Sequence, residues 1–476
     1  MHVLLVFPNI FTPLSFSPAV QILSSVLKKA GHKVSLLHIH KDLITDDEKT
    51  IIKEIKKINP DVIGFTSTSF EYERVEQLAD AIKKEIKTPL ILGGIHATIS
   101  PEDFKDSNFD CWVVGEGEKT IVSIANGEVK PSGLIHAEME KNLDVLPFND
   151  WDIMDSSRII KSKGNWLDIA FSRGCPFDCA FCANALLRKI KGEPYIRKRN
   201  PDLCIDELKY VISKFNVKVV NFADDEFTLN HRWLTEFLTK YKSEILDKHN
   251  IEYVIESRVD TITDKTARLL KETGCREIQF GVESCSPRVL EFINKGIDPR
   301  KIKKAFDLCK KYSINTYVYM MIGIPTETEE NIMETMRFLA IIKPRIIRPT
   351  FLCPVKGTKI YDYCVENNLF SKSVTVWNFE SPLNLKSIDN VTLFRYWFLY
   401  PWVINSCMGY EEYTKKVEEY FKKDVNDPST FDKLLDDDII LSNKMKKKKL
   451  EHYVYKAERK KGDRKFRFNR FELVKP

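Results

Sequence analysis

SRGCPFDCAFC, residues 172–182, sets Cys175, Cys179 and Cys182 at intervals of four and three, and no Cys or His follows in the next twenty residues. A structural zinc ion takes four protein ligands, so a zinc reading leaves this set one short. Closely spaced thiolates also hold iron-sulfur clusters, and a cube bound at three corners keeps its fourth iron open to a substrate. Both readings stay open on the cysteines alone.

The cysteines follow a short apolar run, WLDIAFS, which is the first of six. VKVVNFADD, IEYVIESRVD, EIQFGVES, INTYVYMMIGIP and IIRPTFLCPV also read as strands, with helices such as DKTARLLKETG and PRKIKKAFDLCKKY between them. Six strand-helix units predict a partial barrel, whose chemistry sits at the carboxyl ends of its strands. The cysteine loop lies at the first of those ends.

Upstream, HVLLVFPN, KVSLLHI, DVIGFTST, PLILGGI and CWVVGEGE alternate with amphipathic segments such as AVQILSSVLKKAG and YERVEQLADAIKKEI. Nearly all-apolar strands in this alternation predict a doubly wound parallel sheet covered on both faces, an α/β fold that binds ligands beyond its strand carboxyl ends. The loops there are FPNIFTPLS, FTSTSFE, LGGIHAT and VGEGEKT. The expected organisation is an amino-terminal domain over 1–140, a linker over 141–165 containing LDVLPFNDWDIMD, and a barrel over 166–370. An aromatic and helical region over 371–443 and a basic tail over 444–476 complete it.

A chain of 476 residues is too long for one ordinary core. Its composition, 43% hydrophobic and 30% charged, is that of a globular protein. No apolar run approaches the roughly 18 residues that span a bilayer, and MHVLLVFPNI lacks the pattern of a signal peptide. Eleven cysteines, an odd and scattered set, point to a reducing compartment and a cytoplasmic protein. The net charge of +6 conceals an asymmetry, since Lys444–Pro476 carries 14 Lys/Arg against 4 Asp/Glu. That tail suits contact with nucleic acid or an anionic membrane surface, or else a solvated, partly disordered end.

The cysteine spacing, with the aromatic Phe181 before its last member, resembles the signature of the radical S-adenosylmethionine (SAM) superfamily. The later strand ends resemble its cofactor-contact motifs in the same order. FADDEF, with Asp224, Asp225 and Glu226, is similar to the acidic end of the second strand, and ESRVD, with Ser257 and Arg258, to that of the third. FGVES, with Glu283 and Ser284, resembles the ribose-contacting fourth, and GIPTET, with Gly323 and Pro325, the turn near the adenine. RPTFLCPVKGTKIY resembles the sixth-strand segment of the cobalamin-using subgroup. Each has a plainer alternative as a turn or a surface charge; their succession on consecutive strand ends favours the family.

The resemblance implies three thiolates holding a 4Fe-4S cluster, with SAM on its free iron, and reductive cleavage of SAM to a 5'-deoxyadenosyl radical. It implies that the acidic residues pair with the SAM amino group or substrate hydroxyls and that Arg258 clamps a carboxylate. An electron donor such as flavodoxin or ferredoxin is expected.

Residues 1–140 resemble the cobalamin-binding domain that precedes the barrel in the methylase and cyclase branch of the superfamily. Gly93 and Gly94 would admit a bulky tail, Thr66 and Ser67 would bond to it, and Glu116 would bond the corrin amides. The DxHxxG motif that supplies an axial histidine in many cobalamin proteins is absent, so cobalamin is expected without a protein His ligand, and a degenerate domain that binds none stays an alternative. His38, His40 and His96 read as satisfied residues rather than ligands.

The expected activity is a cobalamin-dependent C-methyl transfer to an unactivated carbon, or to a phosphinate, of a small molecule. Oxidative cyclisation or rearrangement with the same cofactors is the alternative, and a non-catalytic corrinoid-binding module a second. TLFRYWFLYPWVI, residues 392–404, either walls a pocket for a hydrophobic or lipid-like substrate or packs a core. Cys309 and Cys353 read as hydrogen donors or as inert buried thiols.

Overall fold

The computed structural model describes residues 1–371, 381–424, 427–457 and 468–475. Its first sheet holds β1 (His2–Pro8), β2 (Lys33–Ile39), β3 (Val62–Thr66), β4 (Leu90–Gly93), β5 (Cys111–Val114) and β6 (Gly133–His136). They lie in the order β2-β1-β3-β4-β5-β6, and every pair is parallel. Side chains alternate across a strand, so Leu4 and Val6 feed one helical layer while Val3 and Leu5 feed the other. The strand order reverses about β1, and the crevice at that switch lies between the carboxyl ends of β1 and β3.

The second sheet begins with β7 (Trp166–Ile169). A two-residue antiparallel ribbon, β8 (Ser172–Arg173) and β9 (Arg197–Lys198), brackets the cysteine loop. The barrel continues through β10 (Val219–Phe222), β11 (Glu252–Ser257), β12 (Cys275–Glu283), β13 (Asn315–Ile322) and β14 (Ile346–Phe351), all parallel in the order β7-β10-β11-β12-β13-β14. Val220, Phe222, Ile255, Ile278, Phe280, Val318 and Met320 pack outward into one core with the surrounding helices. The alternate residues face the barrel interior.

The expected linker is packed structure. Asp150 accepts from Ser24 Oγ at 2.5 Å and pairs with Lys28 on the first domain, while Trp151, 2% exposed, donates to Glu207 of the barrel layer. The basic tail differs more. Of its lysines, Lys444, Lys446 and Lys447 end the helix Pro428–Lys447. The chain then returns as β15 (His452–Ala457) and β16 (Phe468–Val474), which extend the barrel sheet, β16 antiparallel to β14 and β15 antiparallel to β16. Tyr453, Phe471 and Leu473 are buried there, so apolar alternation overrides the local charge. Residues 458–467, which hold most of the arginines, lie outside the described residues.

The aromatic stretch is core. Trp397, Phe398, Tyr400 and Trp402 are buried in helices Asn390–Phe398 and Tyr400–Cys407, against the same cluster as the barrel. Among the described residues, no helix is long and apolar enough to cross a membrane.

Candidate functional site

Cys175, Cys179 and Cys182 sit on one loop between β8 and the helix Ala183–Lys191. Gly174, before the first of them, has φ +93°, and a Cβ there would lie 2.5 Å from the Tyr195 carbonyl oxygen; only glycine fits. Asp225 fastens both ends of the loop. One carboxylate oxygen accepts from Gly174 N at 3.0 Å and the other from Asn184 Nδ2 at 2.8 Å. Its neighbours brace the flanks: Asp224 accepts from Phe171 N and Ser172 Oγ, and Glu226 from Arg258 N at 2.8 Å, Thr228 N and Ser257 Oγ.

In the structure the acidic strand end braces the protein itself. All three carboxylates are engaged inside the protein, although Asp224 Oδ2 is buried without a partner among the described residues. Ser257 belongs to the Glu226 network with Thr228 and Thr261. Ser284 is buried against Thr335, on the helix side of its strand end. Gly323 and Ile324 donate backbone N–H groups to Glu327 within the GIPTET turn, and burial pushes the Glu327 carboxyl up to about 7.

Two cations flank the thiols. Arg258 does not offer a free fork: two of its nitrogens donate to Asp260, one of these also to the Lys295 carbonyl, and its third lies 3.7 Å from Cys179 Sγ. Its guanidinium stacks on Phe177 at 3.6 Å. Lys295, which sequence reasoning missed, pairs with Glu283 at 3.1 Å, lies 5.5 Å from the centre of the Phe181 ring, and acts electrostatically on Cys182. Glu283 reaches that pair through a left-handed backbone, φ +68°, and a Cβ on Gly281 would meet its carboxylate at 2.7 Å. A lone lysine after a short helix carries no local signal of such a role.

These surroundings fit an anionic cluster. Burial pushes the Cys175 thiol up to about 11 and raises Cys182, with their acidic and sulfur neighbours adding to it, so the thiols are protonated until metal displaces the protons. Two buried cations then offset the charge of three thiolates. Among the described residues, no three His, Cys, Asp or Glu side chains converge as a single ion requires. A cube, by contrast, takes each thiolate at a different corner.

At the carboxyl ends of the first sheet, Phe11, Phe70 and Ile95 are exposed on the loops after β1, β3 and β4, an apolar surface that suits the face of a large flat ligand. Thr66 is half-buried there, whereas Ser67 is buried and its hydroxyl donates to the Thr68 carbonyl. The two glycines separate. Gly94 has φ +99° and its Cβ would strike Thr66 and Ser67 at 2.7–2.8 Å, so its reason is internal; a Cβ on Gly93 would meet nothing nearer than the Phe65 carbonyl at 3.9 Å. Each histidine has one ring nitrogen bonded: His38 Nε2 with Asn9 Oδ1, His40 Nδ1 accepting from Asp42 N, and His96, stacked on Tyr72, with Ser69 Oγ. His96 Nε2 also lies 3.2 Å from Asp103, while His38 Nδ1 and His40 Nε2 are buried without a hydrogen-bond partner among the described residues.

Glu116 was expected to bond corrin amides. Instead it is buried between the domains and bonds Arg173 at 2.7 Å, Lys191 at 3.2 Å and both terminal nitrogens of Arg197 at 3.0 and 2.6 Å. Arg173 precedes the cysteines and Lys191 ends the helix after them, so one carboxylate of the first domain grips both flanks of the cysteine loop. Glu118 adds a second contact to Arg173 at 2.6 Å. The carboxyl ends of the two sheets therefore meet across a fixed, charged joint.

Comparison with known proteins agrees with this division. Residues 169–339 match the family model of the radical SAM superfamily, and residues 13–125 match that of the B12 binding domain. An uncharacterized methyltransferase of Pyrococcus horikoshii, PH0819, is 30% identical over 71% of this chain and 76% of its own. The bacteriochlorophyllide d C-8(2)-methyltransferase of Chlorobaculum tepidum is 29% identical over 65% of this chain and 70% of its own. Among solved structures, the cobalamin-dependent SAM radical enzyme OxsB, with aqua-cobalamin and SAM bound, shares the fold at a TM-score of 0.66 and 18% identity, over 94% of this chain and 75% of that one.

Proposed function

Because the chain belongs to the radical SAM superfamily, with a B12-binding domain ahead of its barrel, we propose that it is a cobalamin-dependent methyltransferase that moves a methyl group to an unactivated carbon, or to a phosphinate, of a small molecule. The observation that carries this reading is the Glu116 joint, which holds the corrinoid cradle against the cysteine loop. A methyl carrier and a radical source must share one substrate, and a rigid joint sets the distance between them.

In this reading Cys175, Cys179 and Cys182 hold a 4Fe-4S cluster, and the cradle formed by Thr66, Gly93 and the apolar loops holds cobalamin without an axial histidine. The cluster and SAM together supply a hydrogen-abstracting radical, and cobalamin supplies the methyl group. The protein's own residues do the rest. Asp225 and Gly174 fix the loop, Arg258 and Lys295 balance its charge, and the Gly323–Glu327 turn presents backbone beside the nucleoside. A one-electron carrier such as flavodoxin or ferredoxin provides the electron, and the described contacts of the basic tail are with the protein's own sheet and C-terminal helices.

The test is anaerobic reconstitution with iron, sulfide and hydroxocobalamin, followed by isotope-labelled SAM. The expected products are 5'-deoxyadenosine, S-adenosylhomocysteine and a labelled methylated compound. An unmethylated ring product would replace this reading with a cyclase. Absence of SAM cleavage, with Cys175→Ala unaltered in every property, would reduce the protein to a corrinoid carrier.

A further inference from the structure

The barrel interior carries a polar wall whose two charged ends, Glu256 and Arg348, open the ESRVD and RPTFLCPVKGTKIY segments without a role in the contacts described above. Along β11 the outward residues Ile255 and Ser257 are buried, and Glu256 between them faces inward, half-buried. In register beside it on β12 is Gln279, whose Oε1 accepts from the Tyr319 hydroxyl of β13 at 2.5 Å. Tyr319 is in turn opposite Arg348 of β14, which is exposed. Among the described residues, neither the Glu256 carboxylate nor the Arg348 guanidinium has a hydrogen-bond or ion-pair partner.

Such a pair is unusual. Opposite charges on one wall ordinarily find each other, and an unpaired carboxylate in a narrow interior is costly. Here β12 and β13 stand between them, a backbone separation of roughly 14 Å at about 4.8 Å per strand. The Tyr319 phenol nevertheless feels the charge of both.

We propose that this wall is the substrate platform and that it takes a compact zwitterion of the amino-acid type, its carboxylate on Arg348 and its amino group on Glu256. The proposal rests on the methyltransferase reading only for calling the ligand a substrate. Guanidinium matches a carboxylate in bidentate fashion, and a carboxylate accepts from an ammonium group. Gln279 and Tyr319 between them supply neutral hydrogen-bonding groups to the middle of the ligand. Burial, with the charges of Asp225, Asp168 and Asp224, pushes the Glu256 carboxyl up to about 7, a strain that a bound cation relieves.

Equilibrium binding decides it. Protein reconstituted anaerobically with cluster, cobalamin and SAM is titrated calorimetrically with the twenty free amino acids, and with the N-acetyl and amide forms of those that bind. At least one amino acid is expected to bind saturably, and each blocking group to weaken it about tenfold or more. Glu256→Gln should weaken the free amino acid by a similar factor while leaving its N-acetyl form unchanged; Arg348→Gln should spare the amide instead. If no amino acid binds, or if both variants bind every form as the parent does, the platform is wrong. SAM cleavage by the same preparation is scored separately: its loss would refute the reaction class, and the binding result would still judge the wall.

Discussion

Replacing Glu116 by Gln tests how the two domains are held. The side chain is 5% exposed and neutralises Arg197, itself 4% exposed, together with Arg173 and Lys191. Burial alone would push its carboxyl up, but the Arg197 bonds and the charges of Arg173 and Lys191 prevail and hold it at about 2, against an ordinary 4.5. At about 1.4 kcal/mol for each pH unit, that difference contributes about 3 kcal/mol at neutral pH. Breaking a buried ion pair from one side costs about 3–5 kcal/mol by an independent route, because the stranded cation stays buried. The two figures agree. Arg173→Ala should cost as much, about 3 kcal/mol, because it strands the buried Glu118 carboxylate, although Glu116 keeps two other cations.

Urea unfolding of the metal-free, reduced protein, followed by tryptophan fluorescence, measures both variants. The pH dependence supplies the sign. A carboxyl depressed on folding stabilises fully above its unfolded value of 4.5, and loses that contribution as pH falls toward 2. The gap between parent and Glu116→Gln should therefore be widest at pH 7 and narrow between pH 4.5 and 2. A gap under about 1 kcal/mol at pH 7, or one that widens in acid, would refute the argument. In the loaded enzyme the same variant should raise the ratio of 5'-deoxyadenosine to methylated product, because the joint no longer fixes the methyl carrier against the radical source.

Three further perturbations have distinct readouts. Gly94→Ala puts a side chain at positive φ against Thr66 and Ser67 and should destabilise by about 1–3 kcal/mol or more, lowering the melting temperature, whereas Gly93→Ala should leave the melting temperature unchanged and weaken hydroxocobalamin binding in an optical titration. Cys175→Ala, Cys179→Ala and Cys182→Ala should each lower iron and acid-labile sulfide content in anaerobically reconstituted protein; full retention in any one would remove that residue from the ligand set. Asp225→Asn replaces one of two acceptors that pin the loop at Gly174 and Asn184, so cluster absorbance should decay several-fold faster under chelator, while equal decay would show that the loop holds itself.

What the sequence made legible was whatever local pattern encodes. The six barrel strands and the first five of the other sheet are mostly buried, so they appear as largely apolar runs; β6, an edge strand with Leu134 and His136 exposed, lacks such a run. β15 and β16 were hidden by the opposite cause, since the many lysines and arginines around them in sequence mask the alternation of Tyr453, Tyr455, Phe471 and Leu473 that faces the core. The cysteines were legible because three thiols sit within eight residues. Their supports were not, because pairing across domains leaves no spacing to count. Glu116 meets its partners 57 to 81 positions away, and Lys295 is a single residue beside a sulfur more than a hundred positions earlier. The same logic explains why motif acids were assigned to a ligand when they brace the loop. Asp224, Asp225 and Glu226 lie at a strand end where both ligand and backbone need acceptors, and composition does not distinguish the two demands. Glu256 shows the converse: it opens the ESRVD motif, yet only the alternation of β11, with Ile255 in the core, places it on the barrel's inner face.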